Sequence, residues 1–218
     1  MAKFKAQKIK TNGVDGTPAG TLHWLFITGE GRDQSDKKDG SKMQKQATLH
    51  LHKDSAEAKA LIAEIDRVWK EFKEFTPAIK PATKPKSLGY KPVKDKETDE
   101  ETDILAFSFS TNSFFPAKPG EAPQPNIIKV FDKNGSDVTA AYHASGKLLG
   151  NGTYGKIFGS AGGYEFQSTY GVTLFLTGIQ IGKPVWYEGT TVDAAVMADG
   201  EDLDLTPSLV IPDEHPDL

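Results

Sequence analysis

Residues 47–75 read ATLHLHKDSAEAKALIAEIDRVWKEFKEF. The first six alternate Ala47, Leu49 and Leu51 against Thr48, His50 and His52, the period-two pattern of a half-buried strand. The period then changes. Ala58, Leu61, Ile62, Ile65, Val68, Trp69, Phe72 and Phe75 recur at three- and four-residue spacing, which puts them on one stripe of a helix. Asp54 with Glu57 three residues later has the form of a capping box, and Pro77 stops the pattern. The spacing predicts a helix over 54–75 whose aromatic stripe is core.

Strands are expected on both sides of this helix. TLHWLFIT (21–28) alternates Leu22, Trp24 and Phe26 on one face, and the polar run GEGRDQSDKKDGSKMQKQ (29–46) reads as a solvated loop. Residues 77–103, rich in Pro and Lys and then acidic, read as an extended link without a packed element. ILAFSFSTNSFF, NIIKVFD and GVTLFLTGIQIG read as further strands, PVWYEG as a short one, and KNGS as a hairpin turn at Asn134-Gly135. Between them, 146–171 is glycine-rich and carries Tyr154, Phe158, Tyr164, Phe166 and Tyr170. These elements imply a mainly β fold, a small barrel or sandwich with one long helix inserted between early strands.

Charge divides the 218 residues unevenly. The chain has 26 Lys and Arg against 30 Asp and Glu, but eight of the acids lie from Asp193 onward, where there is no Lys or Arg. Residues 1–192 therefore carry 22 acids against 26 bases and form a mildly basic body. Residues 193–218 form an acidic tail that includes Asp199, Glu201, Asp202, Asp204, Asp213, Glu214 and Asp217, interleaved with Leu, Val and Ile. A basic body points to a polyanionic partner. The absence of cysteine excludes disulfides and thiol chemistry. No run approaches the length of a membrane span, and no apolar segment follows MAKFKAQKIK, so neither a membrane role nor a signal peptide is expected.

Catalytic motifs fail on inspection. Gly146-Lys147 lacks the Ser or Thr and the upstream Gly of a phosphate loop, and DKNGSD lacks the closing Glu of a calcium loop. His23, His50 and His52 have no ordered carboxylate partner, so no metal is expected. Asn151-Gly152-Thr153 has the form of a glycosylation triplet, which matters only for a secreted chain. A non-catalytic protein without cofactor is the expectation.

What remains is a β-rich body with aromatics close to lysines and glycines. Single-stranded DNA suits that combination, because any base can stack on an exposed ring and lysines track phosphates. Glycines in such a site would let the backbone approach the strand. Lys3, Tyr90, Lys91, Lys147, Tyr154, Lys156 and Phe158 are candidates on this ground.

The order of the elements resembles the phage replication single-stranded DNA-binding proteins, which have one OB-fold, a long inserted helix and an acidic C-terminal tail. The pieces that carry the resemblance are ATLHLHKDSAEAKALIAEIDRVWKEF, KPKSLGYKP, FSFSTNSFF, IIKVFDKNGSDV and YGVTLFLTGIQI, spread over most of 20–182. The resemblance implies a five-stranded Greek-key OB barrel over 1–192. It implies sequence-independent binding of single-stranded DNA in replication and recombination. It places a DNA-contacting cation at Lys84 or Lys86, aromatic strand residues at Phe107 and Phe109, and a base-stacking ring near Tyr164 and Phe166. Ser108 and Ser110 stand where such proteins often carry lysines, and the tail ends in Asp217-Leu218 where theirs often ends in an aromatic. It further implies a tail over 193–218 that regulates DNA access and recruits polymerase or helicase-primase, a homodimer as one assembly, and the cytoplasm of an infected bacterial host as the place of action. Two other readings compete: a replisome or virion adaptor that does not touch DNA, and a sugar-binding OB or sandwich domain.

Overall fold

A computed structural model describes residues 3–40, 42–116 and 120–187. Five long strands form the barrel: β1 (Gly20–Phe26), β2 (Met43–His52), β3 (Glu101–Asn112), β4 (Thr153–Phe166) and β5 (Thr169–Lys183). β1, β2 and β3 form an antiparallel meander in which Leu22 faces Leu49 and Leu49 faces Phe107. β4 and β5 form a long hairpin, β5 pairs parallel to β3 at Leu174 and Phe109, and β4 pairs back onto β1. The closed order is β1-β2-β3-β5-β4-β1, a Greek-key OB barrel.

The parallel β3–β5 contact is short, and the Pro/Lys link completes it. Lys86 N–H donates to Tyr170 O (2.8 Å), Val172 N–H to Ser87 O (2.9 Å) and Ser108 N–H to Gly89 O (2.9 Å). The link then becomes an edge strand, Tyr90–Lys94, paired with β3. Residues 77–103 are thus partly packed, contrary to the sequence expectation. Pro92 is tolerated there because an edge strand can spare one N–H. The turn at Asn134-Gly135 is present, with Gly135 at φ +84°, and closes a minimal hairpin before the chain enters a short helix, α2 (Thr139–Ser145). In that hairpin Phe131 bridges antiparallel to Asp137, Asp132 N–H donates to Ser136 O (3.0 Å) and Val138 N–H to Val130 O (2.9 Å). Residues 43–46, read as loop, begin β2.

The helix α1 spans Ala56–Phe75. Its N-cap is Ser55, not Asp54: the Ser55 hydroxyl accepts from Ala58 N–H at 3.0 Å, so Glu57 lies one position short of a capping box. Ala58, Leu61, Ile65, Val68, Trp69 and Phe72 are buried against the barrel, as the periodicity requires, whereas Phe75, expected on the same core stripe, is 44% exposed at the last turn. Burial of each large apolar side chain contributes about 1.5–3 kcal/mol.

Inside the barrel, Leu22, Leu49, Phe107, Phe109, Ile157, Leu174 and Leu176 are at most 2% exposed. The glycines of β4 make room for this core. A Cβ on Gly159 would first meet the Phe175 carbonyl oxygen of β5 and then the Phe109 ring at 3.0 Å, one on Gly155 the Gln180 carbonyl oxygen and then Leu22 Cδ1 at 3.2 Å, and one on Gly163 would overlap the Phe72 ring. The glycine-rich stretch is therefore a strand thinned for core side chains and for the β5 backbone. The β4–β5 hairpin turns at Gln167 (φ +48°) and Ser168 (φ +60°), both in the left-handed region that a tight hairpin needs.

Candidate nucleic-acid interface

Strand alternation decides which candidates reach solvent. On β4, Gly155, Ile157, Gly159 and Ala161 point inward, so Tyr154, Lys156, Phe158 and Ser160 point outward. Beside them on β5 lie Lys183 opposite Tyr154, Gln180 opposite Lys156, Gly178 opposite Phe158 and Phe175 opposite Ser160. The strand Lys129–Phe131 extends this face, with Phe131 next to Gln180 and Lys129 next to Gly178. Gly178 leaves a gap in the row, and the Phe158 and Phe131 rings meet edge to face, 5.3 Å apart. Lys156 Nζ lies 4.9 Å from the Phe158 ring centre. Tyr154 is 49% exposed and Phe175 38%, so both offer a ring to solvent.

The face continues around the barrel. Tyr154 is the cross-strand neighbour of Thr21, Thr21 of His50, His50 of Ala106 and Ala106 of Lys91. A single outward row therefore crosses the wall from Lys183 to Lys91. The imidazoles of His23 and His50 stack along it, with centroids 4.0 Å apart and planes 18° apart. Burial lowers the pKa of both, and the charge of His23 helps to lower that of His50 to about 4, so the pair is neutral at pH 7.

The barrel strands of the wall carry no acid: β1, β2, β5 and β4 as far as Tyr164 contain no Asp or Glu. Asp137 borders the wall as the antiparallel neighbour of Phe131, and the other described carboxylates sit in loops, in α1, in the short strands at Asp15 and Asp33, at the start of β3 and at Glu165 near the hairpin turn. The strand surface would not repel a phosphate chain. Among the described residues, Lys156 has no carboxylate within ion-pair distance, and no group of His, Asp and Glu has the form of a metal site. No described helix is long and apolar enough to cross a membrane.

The other candidates scatter. Phe107 and Phe109 are fully buried inward-facing residues of β3, so neither can stack on a base; the sequence alternation was right, but it marks the core side. Tyr90 packs 5.1 Å from Phe107 and is half-buried on the same inner side, where burial raises its hydroxyl pKa. Tyr164 lies over Gly171 at the far end of the hairpin, and Phe166, 62% exposed, stands beside its turn. Lys147 is half-buried with Nζ 5.5 Å from the Trp186 ring. Lys3, Lys84, Lys86 and Lys91 are exposed, Lys84 and Lys86 on the link beside β5. Asp199, Glu201, Asp202, Asp204, Asp213, Glu214 and Asp217 lie outside the described residues.

Sequence reasoning missed Lys129, Phe131, Phe175 and Lys183. Their signal was present: outward parity on strands without acids, read against the inward Ile and Leu. It also missed Trp24, which the alternation of TLHWLFIT assigns to the same side as Leu22. A β-bulge between His23 and Phe26 breaks that alternation and leaves Trp24 48% exposed while Leu22 is buried.

No protein-family model matches the chain, and no curated protein matches it in sequence. Solved structures do. The chain is similar to gp2.5, a single-stranded DNA-binding protein encoded by bacteriophage T7, with a TM-score of 0.56 and 14% identity over 85% of this chain and 91% of that one. It is also similar to the single-stranded DNA-binding protein of bacteriophage Enc34, with a TM-score of 0.51 and 12% identity over 88% and 97%. The structure of that protein in complex with single-stranded DNA gives 0.50 and 12% over 83% and 96%. The likeness shows the fold. It is an OB barrel like that of these phage proteins.

Proposed function

We propose that the chain is a non-catalytic, sequence-independent single-stranded DNA-binding protein of phage replication or recombination. One observation carries the reading: on an OB barrel, an outer wall whose barrel strands carry no acid presents Tyr154, Phe158, Phe131 and Phe175 among Lys129, Lys156 and Lys183, with Asp137 at its edge beside Phe131. Exposed rings stack bases of any identity for about 1–3 kcal/mol each, and lysines gain free energy by releasing counterions from the phosphates. The Enc34 protein, of the same fold, has been solved with single-stranded DNA bound, which supports the same ligand here.

The acidic tail over 193–218 is proposed to compete for this wall, with carboxylates in place of phosphates and Leu203, Leu205, Leu209, Val210 and Ile211 in place of bases. The same tail would recruit polymerase or helicase-primase, in the cytoplasm of an infected bacterial host, and a homodimer is one assembly it could serve.

The test is titration of labelled oligothymidine at several salt concentrations with the full chain and with a 1–192 truncation. The expected result is preference for single strand over duplex, affinity that falls steeply with salt, and tighter binding at low salt once the tail is gone. A flat salt response or equal duplex binding refutes DNA binding as the function. No binding by either form would favour the adaptor reading.

A further inference from the structure

We infer that Trp24 is a base-stacking residue, held outward by the β1 bulge and the side chain of Asn151. This rests on the reading above and adds to it a residue and the device that positions it.

The backbone supplies the first observation. Trp24 has φ +54°, and among the described residues it is the one bulky side chain in the left-handed region. The other non-glycine residues with positive φ (Asn12, Lys38, Asp99, Gln167 and Ser168) are small or flexible polar residues at turns. An aromatic residue inside a strand adopts this conformation only where its surroundings hold it there. Such conformations cluster at ligand clamps, and bulges re-aim side chains beside functional sites.

The holding contacts are visible. Trp24 N–H donates to Asn151 Oδ1 at 2.8 Å. Asn151 is fixed in turn, because Gly152, at φ +96°, donates its N–H to Leu22 O at 3.0 Å and Thr153 then pairs with Leu22. The bulge thus converts what would be a second inward residue into a ring that is 48% exposed.

Location supplies the second observation. Trp24 follows His23, whose ring stacks on His50 in the outward row, and lies three residues along β1 from Thr21, the neighbour of Tyr154. At strand rise that separation is roughly 10 Å. Trp24 and Tyr154 therefore stand on one wall, on strands without acids beside them, as separate platforms. The bulge also turns Leu25 onto the core, followed by buried Ile27, so Leu25 takes the inward place that Trp24 gives up and the Trp24 ring is left to solvent.

The test uses the full chain, oligothymidine and low salt, with intrinsic fluorescence and anisotropy of a labelled strand as readouts. Trp69 is 7% exposed and Trp186 half-buried, so the strand should quench chiefly the Trp24 emission. Trp24→Ala is expected to lose roughly 5- to 150-fold in affinity. Trp24→Phe should bind within about threefold of wild type but lose the quench. Asn151→Ala should keep its circular dichroism and lose part of both affinity and quench. Trp24→Gly, which fits the left-handed conformation without strain, should fold at least as stably as wild type yet bind as poorly as the Ala variant. Wild-type affinity in Trp24→Ala and Trp24→Gly, or an undiminished quench in Trp24→Phe, overturns the assignment and leaves the proposed function intact. Failure of the wild type to bind overturns both.

Discussion

Gly163→Ala separates two readings of the glycines in β4, as room for DNA or as room for the core. Gly163 pairs with Val172, which is 1% exposed, and its missing Cβ would fall closer than 3.0 Å to Cγ, Cδ1 and Cδ2 of Phe72. Those are the near atoms of a ring that cannot swing aside. Phe72 is 5% exposed and wedged between Phe4, 5.3 Å away, and Trp69, 6.1 Å away. Overpacking of such a site costs about 1–3 kcal/mol, and three clashing ring atoms point to the upper end. Alanine recovers about 0.5–1 kcal/mol of strand entropy relative to glycine. The net expectation is a loss of about 2 kcal/mol, or about 4–8 °C in Tm for a chain of this size. Urea unfolding followed by far-ultraviolet circular dichroism reads it. In a Phe72→Leu background the same substitution should cost at least about 1 kcal/mol less, since the smaller side chain makes way. Affinity for oligothymidine should not change. A Gly163→Ala protein as stable as wild type, or one whose penalty is the same in both backgrounds, refutes the packing argument. Lost affinity with unchanged stability would restore the DNA reading.

Two further outcomes follow from the wall itself. The pKa of His23 and His50 in the folded chain lies below that of a free histidine, with His50 at about 4, so the unfolded chain binds more protons between pH 4 and 6.5. Stability should therefore be level above pH 7 and fall as pH drops from about 6.5 toward 4, by of order 1 kcal/mol once solvent screening of half-exposed rings is allowed for. Urea midpoints at pH 7.5 and 5.0 measure it, and an equal pH response in His50→Gln would remove the pair as its source. Separately, Lys156→Gln should weaken oligothymidine binding at low salt and make the slope of log K against log salt shallower by about 0.7, the single-strand value for one lost phosphate contact. An unchanged slope would place Lys156 off the DNA path.

The helix was legible because its information is local. Eight apolar residues at helical spacing and a proline stop fix 56–75 almost without reference to the rest of the chain, and only the cap moved by one residue. The strands were legible in place but not always in direction. FSFS shows that Phe107 and Phe109 share a face, but no local pattern states whether that face is wall or core. The core side follows from pairing with Ala47, Leu49 and Leu174, which are distant in sequence. The 14-residue strand over 153–166 was hidden because five of its residues are glycine or alanine, which carry little strand signal of their own. The glycines stay bare because the carbonyls of Gln180 and Phe175 on β5 and the side chains of Leu22, Phe109 and Phe72 occupy the space in front of them.

The same logic explains why the site was harder to read than the fold. A binding wall on a barrel is the complement of the core pattern, so each outward residue can be named once its inward neighbours are known. Tyr154, Lys156 and Phe158 were singled out as rings and lysines among glycines, and their outward parity is shared by Phe131, Phe175, Lys129 and Lys183. Parity fails only where an extra residue enters a strand, and in β1 it fails at Trp24. A period-two reading must then put the ring inside, since the signal for the bulge is a hydrogen bond from Trp24 N–H to a residue 127 positions away. The break in the pattern and the largest exposed ring on β1 coincide, as expected where local preference yields to binding. If Trp24 proves to be silent in DNA binding, the strain at φ +54° needs another purpose, and a stability gain in Trp24→Gly without loss of affinity would show that it has none.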